Sequence, residues 1–123
     1  MGEISLVRGT YRVSVPEDVN YVDYMYDLED ALIETLTVGT TPRYDEIEKV
    51  LIGDFEVEDE FYGDMEIKRD LAELNELVPN IELTLKRFGE KGVGDSSEYR
   101  LRDSKLTIYQ SAVAYDFIEE INF

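Results

Sequence analysis

The chain of 123 residues contains no cysteine, no histidine and no tryptophan, and only three prolines. Without cysteine there is no disulfide framework and no thiolate metal site. Without histidine the commonest general base, the usual neutral metal ligand and the physiological-pH switch disappear together. Nucleophilic chemistry is left to Ser, Thr, Lys or a carboxylate. Long apolar runs are also missing: none approaches the ~20 residues of a membrane span. The opening stretch MGEISLVRGTYRVSV lacks the basic region followed by an apolar run that a secretory signal needs.

Positive charge is scarce. Twelve Lys and Arg face 29 Asp and Glu, a net of −17. The excess is concentrated, because residues 16–66 hold 17 acids against Arg43 and Lys49 alone, a net of −15. A field of that sign repels DNA, RNA and anionic membranes and draws basic partners inward over about a Debye length, ~8 Å at physiological salt. Direct nucleic-acid and membrane binding are therefore excluded as expectations, and a basic protein surface is the partner class that fits. The competing explanation is that the acids only keep a small protein dispersed. Hydrophobic content of 43% with regular apolar periods argues for a folded chain, and the length suits one domain over residues 1–123.

The periods predict an α+β domain with about three helices packed on a small, mainly antiparallel sheet. Ser5 to Val15 alternates as a strand and Pro16 ends it. From Val22 the apolar steps Val22, Met25, Leu28, Leu32 and Leu36 predict a helix, capped by Asn20 and closed by Gly39. Thr41-Pro42 with Tyr44, Ile47, Val50 and Leu51 predicts a second, short helix. Asp64 opens a third, with Ile67, Leu71, Leu74 and Val78 on one face and Pro79 at its end. Ile81 to Leu85 alternates as a strand, GEKGVGDSS reads as a glycine-rich turn, and Tyr99 and Leu101 continue in a further strand. Lys105 to Phe117 reads as the longest strand, its alternation slipping as at a bulge near Gln110 to Ala112.

Two features stand out as candidate binding elements. In GDFEVEDEFYGD the acids Asp54, Glu56, Glu58 and Glu60 recur at every second position, so an extended strand would set them on one side about 6.6 Å apart. Such a ribbon needs solvent, a cation or a basic partner. The interleaved Phe55 and Val57, with no central glycine, do not match a calcium loop, so a metal site is not expected. The second feature is the first helix, where Asp23, Asp27, Asp30 and Glu34 accompany the aromatic run Tyr21, Tyr24 and Tyr26. Residues about 100° apart on a helix cannot all face one core, so some of these tyrosines must be exposed. Tyrosine among carboxylates suits an interface with Arg and Lys. The candidate partner-binding set is thus Asp23, Tyr24, Asp27, Asp30, Glu34, Asp54, Glu56, Glu58, Glu60 and Tyr62. The glycines Gly89, Gly92 and Gly94 precede a strand and lack the phosphate-loop lysine, and no cofactor motif or catalytic constellation is found, so no enzyme is expected.

The pieces Leu36-Thr37, Thr40-Thr41-Pro42-Arg43, Gly53-Asp54-Phe55 with Phe61, Leu77-Val78-Pro79-Asn80-Ile81 and Leu106 to Phe117 follow one another in an order that resembles the baseplate wedge and tail-sheath initiator family of contractile-tailed phages. Val78 and Asn80 stand where that family has Glu and Arg. The resemblance implies a non-enzymatic assembly protein, in the host cytoplasm or the virion, whose sheet edge is extended by other tail subunits. The alternative is an inhibitor that mimics nucleic acid and blocks the basic groove of a DNA- or RNA-binding enzyme.

Overall fold

The computed structural model of the protein describes residues 5–59, 63–88, 96–111 and 115–123. The elements run β1 (Ser5–Ser14), α1 (Tyr21–Leu36), β2 (Arg43–Asp45), β3 (Val50–Asp59), α2 (Asp64–Leu77), β4 (Ile81–Phe88), β5 (Ser96–Arg102), β6 (Lys105–Ser111) and β7 (Tyr115–Asn122). The architecture is α+β: one seven-stranded sheet in the order β2-β3-β1-β4-β5-β6-β7, antiparallel at every pairing, with two helices.

The sheet is built outward from β1. Its odd residues Val7, Tyr11 and Val13 are buried, while Arg8, Thr10, Arg12 and Ser14 are exposed. This period of two gives the sheet one core face and one open face. Register then carries the division across the neighbours: Val13 faces Leu51 on β3 and Ile81 on β4, and Arg8 faces Glu56 and Lys86. Both helices cover the core face. Leu28, Leu32 and Leu36 of α1 and Ile67, Leu71 and Leu74 of α2 join Leu51, Leu83, Leu85, Tyr99 and Leu106 in one cluster. Each such side chain contributes about 1.5–3 kcal/mol on burial.

Two cross-strand pairs place an aromatic ring over a glycine. Tyr11 faces Gly53 and Phe55 faces Gly9, and the two rings lie 6.5 Å apart at 27°. A Cβ at Gly53 would sit 2.1 Å from Tyr11 Oη, and one at Gly9 would sit 2.2 Å from Phe55 Cζ. The glycines are therefore required by close approach of the rings. Tyr11 is held in place by a 3.0 Å hydrogen bond with Thr40 Oγ1, which itself donates to the Asp54 carbonyl at 2.8 Å.

A polar network fastens α2 to the sheet. Tyr99 Oη donates to Asp64 Oδ1 at 2.6 Å, and Lys68 Nζ reaches Asp64 Oδ2 at 2.9 Å and Glu119 Oε2 at 2.7 Å. Burial disfavours the ionised Asp64, but the bonds from Tyr99 and Lys68 outweigh it and hold the carboxyl below its ordinary range. Burial, then the bond to Asp64, pushes the Tyr99 phenol above its usual range.

Several sequence-based expectations need correction. Two helices are described instead of three, because the expected helix over Thr41 to Leu51 is a hairpin. β2 pairs with the start of β3, and Asp45 Oδ1 accepts from the amides of Ile47 at 2.9 Å and Glu48 at 3.1 Å to form the turn. Lys49 completes it at φ 58°. Ile47 is 94% exposed, so the helical spacing has no core beneath it. The pairing demand of β1 decides the conformation, since β3 supplies it with a ten-residue partner. Helix α1 begins at the expected cap, Asn20 Oδ1 accepting from Val22 N at 2.8 Å, but it ends at Thr37 in the left-handed region rather than at Gly39. The expected last strand divides into β6 and β7, which pair with each other. The slip in alternation falls between Ile108 and Tyr109, which face Glu119 and Phe117, leaving Ile118 as the extra residue. Residues 89–95 of the glycine-rich turn, and 112–114, lie outside the described residues.

Two measurements check this account. Gly53→Ala is expected to cost about 1–3 kcal/mol in urea unfolding, as overpacking does, whereas Gly39→Ala, whose Cβ meets nothing, should stay within about 0.5 kcal/mol. The lowered Asp64 pKa supplies stability that is present above its unfolded value of 3.8 and is lost as pH falls through the folded value. The raised Tyr99 pKa supplies stability that is full below 10.0 and is lost as pH climbs above it. Asp64→Asn should thus flatten the acid limb of a stability–pH curve and Tyr99→Phe the alkaline limb; curves parallel to wild type would refute the coupling.

Candidate functional site: an acidic helix face

The acids that dominate residues 16–66 do not converge on one surface. Asp54 and Glu56 lie on the open face of the sheet, and the register places Glu58 in the same row of β3. Asp23, Asp27, Asp30 and Glu34 are exposed on α1, in the layer that covers the other face. Glu60 and Tyr62 lie outside the described residues. The eight described candidates are therefore divided between two sides of the molecule.

The two sides differ in how their charge is compensated. Among the described residues, the open sheet face carries seven cations, Arg8, Arg12, Arg43, Lys86, Arg100, Arg102 and Lys105. Five of these meet carboxylates: Arg8 Nε lies 3.1 Å from Glu56, Lys86 Nζ 3.7 Å from Glu98 and Lys105 Nζ 3.8 Å from Glu120. Arg100 also bonds Glu98 and lies over the Tyr109 ring at 4.3 Å, and Arg12 pairs with Glu48. Glu98 is only 4% exposed, so its two cations compensate a desolvated carboxylate. The other pairs are solvent-exposed and each is worth about 0–1 kcal/mol. Their consequence is local neutrality. Within the acidic ribbon, Glu56 is answered from within the chain, by the β1 arginine directly across from it.

Helix α1 has no such answer among the described residues, whereas on α2 Lys68 pairs with Asp64 and Arg69 with Asp70. Helices α1 and α2 together hold ten acids and two cations, a net of −8, and α1 has five acids and no cation. At about 100° per residue, Asp23, Asp27, Asp30 and Glu34 fall within an arc of roughly 60°, turned away from the core positions Leu28, Ala31, Leu32 and Leu36. Successive members are three or four residues apart, the spacing at which like charges destabilise a helix by about 0.2–0.5 kcal/mol per pair. Glu34 also sits in the last turn, where the helix dipole favours cations. The stripe is thus held at some expense by the buried side of the same helix.

The aromatics of α1 take three different environments. Tyr24 is half-buried and its Oη donates to Asn80 Oδ1 at 3.1 Å, with Asn80 Nδ2 donating to the Ser14 carbonyl at 2.7 Å. Tyr24, a predicted contact residue, thus has a structural task. Tyr21 stacks on Tyr44 of β2, with centroids 4.2 Å apart and rings 7° from parallel. Tyr26 is 60% exposed, and so is Ile33 at 53%. Sequence reasoning passed over Ile33 and gave Val22 to the core, although Val22 is 38% exposed. The rule that a residue's arc must match Leu28 and Leu32 would have separated both from the core set.

The concavities bear on chemistry as well. A cavity of about 240 Å³ is lined by Val7, Leu36, Val38, Phe55, Val57 and Leu85 with Thr37, and these offer no titratable group for acid–base work. A groove of about 600 Å³ runs between the start of α1 and the turn after β2, past Val19, Tyr21, Val22, Tyr44 and Lys49. Among the described residues, no group of three or more Asp or Glu is arranged to hold a metal ion. No helix among the described residues is long and apolar enough to cross a membrane. Compared with protein-family models, curated proteins and solved structures, the chain matches none.

Removing part of the stripe should stabilise the fold. Asp30→Asn with Glu34→Gln is expected to raise unfolding stability by about 0.3–1 kcal/mol at low salt, with a smaller gain at high salt, read from urea midpoints. A loss of stability would show that these carboxylates have structural partners.

Proposed function

We propose that the protein is a non-enzymatic binding protein that presents the acidic outer face of α1 to a basic protein surface. One observation carries the reading: α1 keeps five carboxylates and no cation, whereas the carboxylates on the opposite face of the molecule are set among Arg and Lys. A charge stripe that lowers helix stability and has no ion-pair partner among the described residues is accounted for by an external one. Burial against cationic side chains would turn local repulsion into complementarity and steer the encounter.

The setting that the sequence resemblance implies is assembly of a phage tail baseplate or sheath initiator, with other tail subunits as partners. The strand edges are compatible with it, since β7 ends the sheet and β2 spans only Val50–Ile52 of β3. The acids of β3 also have an internal rationale there, because charge on an edge discourages unspecific strand pairing.

A second reading, nucleic-acid mimicry, is favoured by spacing. From Asp23 to Glu34 the helix rises about 16.5 Å and carries four acids in one row, about 5.5 Å apart along the axis, within about twofold of the 3.4 Å per phosphate along one DNA strand. In this reading the partner is the basic groove of a DNA- or RNA-binding enzyme.

Both readings place the contact on α1 and are tested together. Purified nucleases and polymerases would be assayed with wild-type protein and with Asp27→Asn/Asp30→Asn/Glu34→Gln at low and high salt. Mimicry predicts inhibition by wild type that fades with salt and is lost in the variant. Assembly predicts no inhibition and a monomer that joins a complex only when tail components are supplied, again dependent on the three carboxylates. Equal behaviour of wild type and variant in both settings would overturn the proposal.

A further inference from the structure

The acids of α1 flank an exposed apolar row. At about 100° per residue, Val22, Tyr26 and Ile33 fall within an arc of roughly 40°, beside the row of Asp23, Asp27, Asp30 and Glu34, with Glu29 on the other side. Singly scattered apolar side chains on a surface are ordinary. These three are aligned along about three helical turns, and two of them expose more than half of their area. At the Val22 end the row runs into the groove where Val19 and the Tyr21–Tyr44 stack add further apolar surface.

We infer that α1 is the docking face for an amphipathic basic helix of a partner protein, its apolar side chains seated along Val22, Tyr26 and Ile33 and its Lys and Arg on the flanking carboxylates. The inference rests on the acidic-face reading and names the partner's chemistry. An apolar seam with charged flanks is the pattern by which one helix selects another. Here the flanks are acidic on both sides. A second copy of α1 would set carboxylate against carboxylate, so the charges reject self-pairing and select a cationic helix. The two parts of the surface have different tasks: the acids govern attraction and its salt dependence, and the apolar row, shielded by them once bound, supplies the hold.

The test uses the full chain and two synthetic peptides of about 18 residues, five turns, with the same Leu and Lys content. In one the Leu residues form a single helical stripe; in the other they are rearranged so that no stripe exists. Binding is read by fluorescence anisotropy against wild type, Tyr26→Ser/Ile33→Ser, the triple carboxylate variant, and Ile118→Ser as an exposed apolar control on β7. Circular dichroism confirms that each variant is folded. The striped peptide is expected to bind wild type and Ile118→Ser at least about ten-fold more tightly than the rearranged one, and Tyr26→Ser/Ile33→Ser should erase that preference. Equal binding of the two peptides, or a preference that survives in Tyr26→Ser/Ile33→Ser, overturns the docking inference. If at the same time the triple carboxylate variant binds both peptides more weakly, the acidic-face reading stands alone. If it binds them as wild type does, both fall.

Discussion

The structure depends on β1 being hydrogen-bonded along both edges. A strand paired on both sides must keep strict alternation, because a slip of one residue would turn Val7, Tyr11 and Val13 outward and bring Arg8 and Arg12 into the core. The register inherited by β3 and β4 places every second side chain on the open face, and the two helices can then bury their apolar sides on the other. The ring-over-glycine pairs reinforce the register at its centre, where Tyr11 and Phe55 each fill the space that the facing strand leaves without a side chain.

That division decides where charge can be compensated. On the open face, antiparallel neighbours hold opposite charges at fixed cross-strand positions, so Arg8 meets Glu56 and Lys86 meets Glu98 as a result of backbone pairing. A helix lying on the far side of the core has no such neighbours on its outer surface. Whatever charge its sequence carries there remains for solvent or a partner. The −17 of the whole chain is therefore less informative than its partition, in which a mixed, paired face backs a layer at −8.

The same helix shows how folding and binding draw on opposite sides of one element. Leu28, Ala31, Leu32 and Leu36 bind it to the sheet strongly enough that three like-charge contacts and an ill-placed Glu34 on the other side can be carried, since their cost is near 1 kcal/mol against several from burial. The polar tie of Tyr99, Asp64, Lys68 and Glu119 does for α2 what Tyr24 and Asn80 do for α1, fixing helix against sheet without using the outer face. The outer surface is thereby a rigid display rather than a loop, which limits the entropy lost on contact.

Much of the fold was legible in the sequence. The alternation of β1, the period of α1 and α2, the Asn20 cap and the α+β class all follow from local patterns whose physical cause is local. The hairpin at Arg43 to Leu51 was hidden because a spacing of three suits a helix as well, and its outcome turned on β1 needing a partner far away in the chain. For the site, the sequence determined which residues are acidic and that α1 carries no cation. Only the tertiary structure decided which carboxylates would be answered. Cross-strand neighbours are dozens of residues apart in the chain, so the pairing of Glu56 with Arg8, and the lack of a cation on α1 itself to oppose Asp27, Asp30 and Glu34, arise only once register and layer are set.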